Sequence, residues 1–319
     1  MQPHLNRRRF LKQSVCVSSA VTAALSFEEV ALLAKPAEAV PASVPPPAGE
    51  LLPTGKVGKL NITRLICGGN LVAGFAHSRD LIYVSELLRK YFTDEKVIQT
   101  LALCEAQGIN TTILRLDDDT LRILKAYRKQ HGGKIQWIAQ VEIQEDRLAD
   151  QFQQAVDNGA VGVFTHGGIG DDLVKRGKVE VLANCMDLIR RQGVIAGIAG
   201  HRLEVPKACE QAGVKADFYM KTFNSKRYWS AGPKEEHDNV WEASPEETIA
   251  FMQEVDKPWI AYKVLGAGAI HPREGFQYAF NHGADFVCVG MFDFQVAEDV
   301  ALTRLALDKA RVRDRAWCA

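Results

Sequence analysis

From residue 60 onward the sequence alternates between short β-rich runs and longer amphipathic segments. The segments between the runs, such as DEKVIQTLALCEAQG, carry apolar residues at helical spacing, and several end in glycine, as helices often do. Eight strands alternating with about eight helices predict a (β/α)8 TIM barrel in one domain, residues 51–319. A doubly wound sheet is the alternative. The eight runs, with their first residues, are RLICGG (64), NTTILR (110), IQWIAQV (135), VGVFTHG (161), VIAGIAGH (194), DFYMKT (217), WIAYKV (259) and DFVCVG (285).

The charge balance and hydropathy exclude two classes of partner. Lys plus Arg and Asp plus Glu both number 39, so no basic surface favours nucleic acid. After the first forty residues, no stretch approaches 18 continuous apolar residues, so we expect no membrane span in the mature chain. Hydrophobic residues make up 47% of the sequence, enough for one large core.

The first forty residues have the pattern of an export signal rather than of a folded element. Adjacent arginines in NRRRFLK precede the weakly apolar run SVCVSSAVTAALSF, and AEA at 37–39 offers a small-x-small cleavage site. We interpret residues 1–39 as a twin-arginine signal peptide, with the Tat translocase as the export partner and the periplasm or medium as the destination. Residues 40–50 are then a proline-rich linker. The alternative is a basic, disordered N-terminus.

Two connections are too long to be simple turns. One runs from Asn70 to Thr93 after the first barrel strand, and the other from Thr222 to Ala243 after the sixth. Long loops in compact domains often act as lids over a site, although a decorative insertion is the alternative. The second connection carries four side chains suited to covering a ligand: Tyr228, Trp229, His237 and Trp241.

Polar and ionisable residues concentrate at the predicted carboxyl ends of the barrel strands, whereas the opposite ends have the sequence of ordinary turns. In a (β/α)8 barrel the carboxyl ends form the active site. We therefore predict a small-molecule site at this rim. Its candidate substrate-binding residues are Asn70, Arg115, Glu142, Asn224, Trp229 and His237, and its candidate catalytic residues are Lys221, Lys263, His166 and His201.

Two of these candidates are lysines that end neighbouring apolar strands. Lys221 closes FYMK and Lys263 closes WIAYK. Adjacent strands lie about 4.8 Å apart, so two inward ammonium groups would approach each other. Repulsion and partial desolvation both lower the pKa of a lysine and yield a nucleophilic amine. The alternative is that each lysine pairs with a ligand oxygen or with a carboxylate such as Glu142 or Asp293.

A second alternative assigns the same rim to a metal. Glu142, His166 and His201 follow three successive strands, and one carboxylate with two imidazoles suits a zinc or manganese site with open positions. His237 would complete the set. No tight motif such as H-x-H or H-E-x-x-H supports this divalent metal site.

Several segments resemble aldo/keto reductases. The strongest is LIRRQGVIAGIAGHRLEVPKACEQAGVKADFYMKTFN, which is similar to the unit from strand five to strand six of that family. The shared order of the segments implies an aldo/keto-reductase-like barrel with an N-terminal hairpin over residues 51–312. Three further segments carry the resemblance: LLPTGKVGKLNITRLICGGN, PWIAYKVLGAG and GADFVCVGMFDFQVAEDV.

The reductase chemistry implied by this resemblance is mostly absent from the sequence. The family uses an Asp on strand two, a Tyr just after it, a Lys on strand three and a His on strand four. Here His166 alone matches, Ile113 stands at the Asp position, and Gln140 and Glu142 stand where the Lys would lie. MFDFQ lacks the cation expected to hold an NADP 2′-phosphate, and Asp293 would repel it, so NADPH is disfavoured.

The sequence therefore supports three functions. In the first, the barrel acts on a small carbonyl or sugar compound as a lyase or aldolase-like enzyme. Lys221 is the nucleophile, Lys263 tunes it, and His166 or His201 is the acid/base; ADFYMKT and YKVLGAGAI are also similar to the paired lysine strands of deoxyribose-phosphate-type class I aldolases. The second is an oxidoreductase with a tightly bound NAD(P). The third is a non-catalytic metabolite-binding barrel.

Overall fold

The computed structural model describes residues 51–76, 81–228, 242–313 and 315–319. Eight parallel strands, β3 to β10, close into a barrel in which β10 lies beside β3. The predicted (β/α)8 barrel is thus confirmed, and the doubly wound alternative is wrong. The strands are β1 Thr54–Val57, β2 Leu60–Thr63, β3 Leu65–Gly68, β4 Thr111–Arg115, β5 Gln136–Val141, β6 Ala160–Thr165, β7 Ile195–Gly200, β8 Phe218–Thr222, β9 Trp259–Tyr262 and β10 Phe286–Val289.

Helices follow the barrel strands on the outside, and a 3-10 turn at Asp293–Gln295 precedes the last of them. The connection predicted as a lid after the first barrel strand contains two of these helices, α1 and α2. The helices are α1 Gly69–Val72, α2 Val84–Tyr91, α3 Asp94–Ala106, α4 Asp118–His131, α5 Leu148–Asp157, α6 Gly167–Lys175, α7 Val179–Arg191, α8 Glu204–Gln211, α9 Pro245–Gln253, α10 Pro272–Asn281 and α11 Val296–Lys309.

The predicted N-terminal hairpin is present as β1 and β2, which pair antiparallel from Thr54 opposite Thr63 to Val57 opposite Leu60. Val57 and Ile62 of this hairpin pack into the apolar cluster that fills the barrel lumen. The hairpin therefore contributes directly to the interior of the barrel.

Alternation along each strand separates two apolar layers. In β8, Phe218 and Met220 belong to the lumen cluster, whereas Tyr219 belongs to the larger cluster between the strands and the helices. Successive side chains of a strand point to opposite faces, so the layer of any residue near a strand end follows from its neighbours. The last residues of β8 and β9 can thus be assigned either to the lumen or to the layer between strands and helices.

The amino ends of the strands are not plain turns. Asp285, directly before β10, is fully buried and accepts hydrogen bonds from Arg315 at 2.6 Å and from the Trp259 backbone N–H at 2.9 Å. Arg64, directly before β3, donates to the backbone oxygen of Asp285 at 3.0 Å. The expectation that ionisable residues gather at one rim alone is therefore wrong, because this end holds a buried charged cluster.

Part of the predicted organisation falls on residues that the structure does not describe. The signal peptide, residues 1–39, and the linker, residues 40–50, lie outside the described residues, as do Trp229, His237 and Trp241. Their roles stay predictions. In the described ranges, no helix is both long and apolar enough to cross a membrane.

Candidate active site

A histidine–aspartate pair lies at the carboxyl end of the barrel. His201 directly follows β7, and its Nδ1 lies 2.7 Å from Oδ2 of Asp171 on α6. The other carboxylate oxygen, Oδ1, accepts the backbone N–H groups of His201 and Arg202, both at 3.0 Å. Three contacts to one carboxylate fix the ring and favour the tautomer in which Nδ1 carries the proton, leaving Nε2 as an acceptor.

Burial keeps this imidazole neutral near pH 7. The His201 side chain is 12% exposed, and burial is the largest cause that lowers its pKa. The Asp171 carboxylate opposes this shift, while the charges of Lys263 and Lys221 add to it. A neutral imidazole with a fixed Nδ1–H and an acceptor at Nε2 is suited to take up a proton as a general base.

His166 directly follows β6 and lies beside His201, with 6.4 Å between the ring centroids. Its Nδ1 accepts the backbone N–H of Gly168 at 3.2 Å, so the side chain caps the N-terminus of α6. Burial lowers its pKa, Glu142 opposes the shift, and Arg115 and Lys263 add to it. One ring nitrogen of His166 is thus engaged in holding the helix that carries Asp171.

Tyr262, the last residue of β9, faces the lumen next to His201, with 5.7 Å between the rings. Its hydroxyl oxygen is buried, and no partner among the described residues makes a hydrogen bond to it. The same is true of Thr222, which lies directly opposite Tyr262 in the β8–β9 register. Burial raises the pKa of Tyr262, so the phenol keeps its proton.

Lys221 does not face the lumen. It shares the outer face of β8 with Tyr219, and its Nζ donates to Oε2 of Glu242 at 2.9 Å and to the backbone oxygen of Thr222 at 2.7 Å. Both members of this ion pair are buried, at 1% and 2% exposure. The expectation of two inward lysines is therefore wrong, because strand alternation places Lys221 among the helices.

The pKa of Lys221 is lowered as expected, and the predicted desolvation is the main reason. Burial is the largest cause, and the carboxylates of Glu242, Asp171 and Glu204 oppose it. Burial likewise raises the pKa of Glu242, against the effect of the Lys221 charge. The partner that the sequence suggested, Glu142, belongs to another cluster.

Lys263 lies at the carboxyl end of the barrel strands, which we call the mouth of the barrel. It follows Tyr262, and its charge lowers the pKa of both His166 and His201. Its backbone is left-handed, with φ of 58°, a conformation that is costly for a side chain with a Cβ. Asn224, buried at 1% exposure, donates from Nδ2 to the Lys263 carbonyl at 3.2 Å and accepts the Lys226 N–H at 3.0 Å. Asn224 therefore holds the strained backbone of this rim.

Arg115 and Glu142 form an ion pair at the other side of the mouth. Nη1 of Arg115 lies 3.2 Å from Oε1 of Glu142, and its guanidinium lies 5.0 Å from the ring centre of Phe75. The two side chains are 34% and 47% exposed, which leaves them accessible to a ligand. Asn70 lies in α1 after β3 and is exposed. Arg115 and Glu142 stay candidates for binding substrate oxygens.

The three described residues of the alternative metal site are not placed to share a metal ion. In the described parts of the chain, no group of three or more His, Cys, Asp or Glu residues is placed to hold a metal ion. Nδ1 of His166 and Nδ1 of His201 already engage Gly168 and Asp171, and Glu142 pairs with Arg115. His237, the proposed fourth ligand, lies outside the described residues.

Asp293 does not present the free negative charge that the sequence suggested. It accepts hydrogen bonds from Tyr91 at 2.6 Å and from Lys96 at 2.9 Å, and its side chain is 8% exposed. The ion pair with Lys96 offsets the negative charge that was expected to disfavour an NADP 2′-phosphate.

Three residues of the site were missed from the sequence: Asp171, Glu242 and Tyr262. Asp171 and Glu242 lie 30 and 21 positions from their partners, and no local pattern links them. For Tyr262 a signal was available. It lies two residues beyond Ile260, a lumen residue, and so faces the lumen at the strand end.

No protein-family model and no curated protein sequence matches the chain. Solved structures match its fold. One is a "putative aldo-keto reductase" from Pseudomonas aeruginosa, 18% identical over 80% of this chain and 94% of that one, with a TM-score of 0.58. The chain shares its (β/α)8 fold with this structure. A second P. aeruginosa structure of the same description gives 17% identity, 80% and 95% coverage, and a TM-score of 0.53.

The same fold likeness extends beyond reductases. A truncated 3-deoxy-D-arabino-heptulosonate 7-phosphate synthase from Thermotoga maritima is 10% identical over 82% of this chain and 95% of that one, with a TM-score of 0.52. At such identities the likeness concerns the fold alone. The chemistry therefore has to be argued from the side chains at the mouth.

Proposed function

We propose that the mouth of the barrel is the active site of an enzyme that moves protons on a small carbonyl or sugar compound. The observation that carries this proposal is the Asp171–His201 pair at 2.7 Å, on the face where (β/α)8 barrels place their chemistry. A fixed carboxylate behind a buried imidazole sets the tautomer and stabilises the imidazolium that forms after proton uptake.

The surrounding charges suit an oxygen-rich substrate. Lys263 lies near enough to both histidines to lower their pKa values, so it is placed to stabilise negative charge that develops on a substrate oxygen. Arg115 and Glu142 are partly exposed and offer donors and acceptors for further hydroxyl groups. In this proposal Lys263 takes the part first assigned to Lys221, as an electrostatic catalyst or as the amine of a lyase.

The incomplete reductase tetrad also supports proton transfer by His201. Ile113, at the position of the family's Asp, packs in the lumen cluster and is 4% exposed. An apolar residue there offers neither a charge nor a proton. We therefore assign the proton transfers to His201, and the family's tetrad is in this proposal largely lost.

A second candidate is an oxidoreductase with a bound nicotinamide. The Lys96–Asp293 ion pair favours keeping it, because the carboxylate that argued against NADPH is neutralised. Purified protein that absorbs as a reduced nicotinamide does, and loses that absorbance with a carbonyl compound, would select this function. If it instead binds small sugars without turning any over, the non-catalytic barrel is the better description.

We also propose that the protein is exported by the twin-arginine pathway, with residues 1–39 removed. The support lies in the sequence: the arginines at 7 and 8, the apolar run and the AEA site. Export of a folded chain suits a barrel whose cysteines, Cys67, Cys104, Cys185, Cys209, Cys288 and Cys318, are all free thiols.

The test of the main proposal is proton exchange. The protein is incubated in D2O with dihydroxyacetone, glyceraldehyde or xylose, and loss of the C–H signals next to the carbonyl is followed by NMR. We expect exchange with wild type and its loss by about 10²-fold or more in His201→Gln. His131→Gln, at the C-terminal end of α4, is the matched control and should exchange normally. Equal rates in both variants would refute the role of His201.

A further inference from the structure

Two hydroxyl groups at the mouth lack the partners that buried polar groups need. Thr222 is fully buried and Tyr262 has a buried hydroxyl oxygen, yet neither makes a hydrogen bond within the described residues. Burial raises the pKa of Tyr262 and a hydrogen-bonding contact with Thr222 lowers it, so the two hydroxyls face each other although their geometry falls short of a complete hydrogen bond. An unmet buried hydroxyl costs free energy, so a pair of them at a candidate site points to a bound partner.

The backbone comes close to these groups at a glycine. A Cβ atom on Gly167 would lie 2.7 Å from the Tyr262 hydroxyl and 3.1 Å from Cε1 of His201. Only glycine is therefore accommodated at position 167, where the tyrosine and the histidine converge. Gly167 begins α6, and its N-terminal backbone dipole favours negative charge at the same point.

We propose that Tyr262 and Thr222 form the oxygen-binding pocket of the active site, and that the substrate is an α-hydroxy aldehyde or ketone. This inference rests on the proposed proton-transfer function. Tyr262 keeps its proton and so donates to the carbonyl oxygen. The Thr222 hydroxyl binds the substrate's hydroxyl oxygen on the neighbouring carbon, because the Cα of Thr222 lies opposite that of Tyr262 on the next strand. Two adjacent hydroxyls match the two adjacent oxygens of an enediolate.

The step that these groups support is balanced without a cofactor. Nε2 of His201 takes the proton from the carbon that bears the hydroxyl, the C–H electron pair forms the C=C bond, and the carbonyl π pair moves onto the oxygen held by Tyr262. The imidazolium then returns a proton to either carbon. When the proton returns to the former carbonyl carbon and a second proton passes between the two oxygens, the carbonyl and hydroxyl groups exchange carbons. An α-hydroxy aldehyde is thereby converted into an α-hydroxy ketone, or the reverse.

The experiment compares Tyr262→Phe and Thr222→Val with wild type in the exchange assay, using dihydroxyacetone as the substrate and acetone as the probe without a hydroxyl group. Each variant removes one hydroxyl at nearly constant volume. The matched control is Thr165→Val, because Thr165 is also fully buried with an unpartnered hydroxyl but follows Phe164 and so lies outside the lumen.

We expect wild type to exchange dihydroxyacetone and not acetone, both mouth variants to lower the rate by about 10²-fold, and Thr165→Val to leave it unchanged. If the mouth variants match wild type while His201→Gln is inactive, the pocket is refuted and the proton-transfer function stands. Equal exchange of acetone refutes the α-hydroxy substrate class. If wild type exchanges none of the compounds, the proposed function is refuted, and this inference with it.

Discussion

The buried Lys221–Glu242 pair allows a quantitative test of whether Lys221 is structural or catalytic. The Nζ and Oε2 atoms lie 2.9 Å apart, which at an effective dielectric constant of about 20 corresponds to about 6 kcal/mol of attraction. Taking each ion out of water costs several kcal/mol, so the net contribution of the intact pair to stability is small. Removing one member, however, leaves the other buried and unpaired.

We therefore expect Lys221→Met and Glu242→Gln each to lower the free energy of unfolding by about 3–5 kcal/mol. The double variant should cost much less than the sum, because neither charge then remains. Gln keeps an oxygen for the two groups that Glu242 also satisfies through Oε1, the Ser244 N–H at 3.3 Å and the Thr248 hydroxyl at 3.1 Å. Urea denaturation of all four proteins gives the coupling free energy.

The catalytic alternative predicts a different set of results. A Schiff-base lysine would be trapped by borohydride with a carbonyl compound, and mass spectrometry would locate the adduct at Lys221. We expect no adduct there, and exchange activity retained by Lys221→Met at temperatures where it is folded. If the losses of stability in the two single variants add up in the double variant, or if an adduct is trapped at Lys221, the structural role of this lysine is refuted.

Three further predictions follow from the rim and the N-terminus. Asp171→Asn should lower the exchange rate by about 10²-fold. Burial lowers the pKa of His201 and Asp171 raises it, so loss of the carboxylate should lower this pKa further. The acid limb of the pH profile of kcat/KM should therefore move to lower pH in this variant. An unmoved limb would contradict the pairing. Asn224→Ala removes the hydrogen bonds to the Lys263 carbonyl and the Lys226 N–H, so it should lower the free energy of unfolding by about 1–3 kcal/mol in urea denaturation. It should also raise KM more than it lowers kcat, because the backbone of Lys263 is released. An unchanged KM would show that Lys263 is not part of the site. Replacing both Arg7 and Arg8 with Lys should leave uncleaved precursor inside the cell, whereas wild type begins near Val40 by N-terminal sequencing; normal export of the variant would refute the signal.

The architecture was predictable because it depends on local patterns. Each of the eight β-rich runs overlaps a barrel strand, as with IQWIAQV and β5 Gln136–Val141. SPEE at 244–247 has the S-x-x-E pattern of a capping box, and it begins α9 with Ser244 as the N-cap and Pro245 in the first turn. The capping box is only half formed, since the Ser244 N–H donates to Glu242 instead of to Glu247. The part of the capping box that the pattern did not predict is thus a contact to a residue outside the helix.

The partners of charged residues were less accessible, because they depend on which elements meet in space. Asp171 on α6 reaches His201 across 30 positions, and Lys96 reaches Asp293 across 197 positions. Strand ends bring side chains to one rim, and this much the order of elements predicts. Which carboxylate then meets which cation depends on helix rotation and loop path, and no spacing along the chain encodes these.

The side of the barrel that Lys221 faces, by contrast, was within reach of the sequence. FYMK places two large apolar residues, Phe218 and Met220, two positions apart, and the same spacing recurs in the next strand as Ile260 and Tyr262. Assigning these residues to the lumen places Lys221 outside and Tyr262 inside by alternation. A buried lysine on the outer face requires a carboxylate from a neighbouring helix or loop, and a tyrosine at the inner end of a strand requires a polar partner in the mouth. Strand alternation, applied before chemical type, would have moved the candidate chemistry from the lysine to the tyrosine.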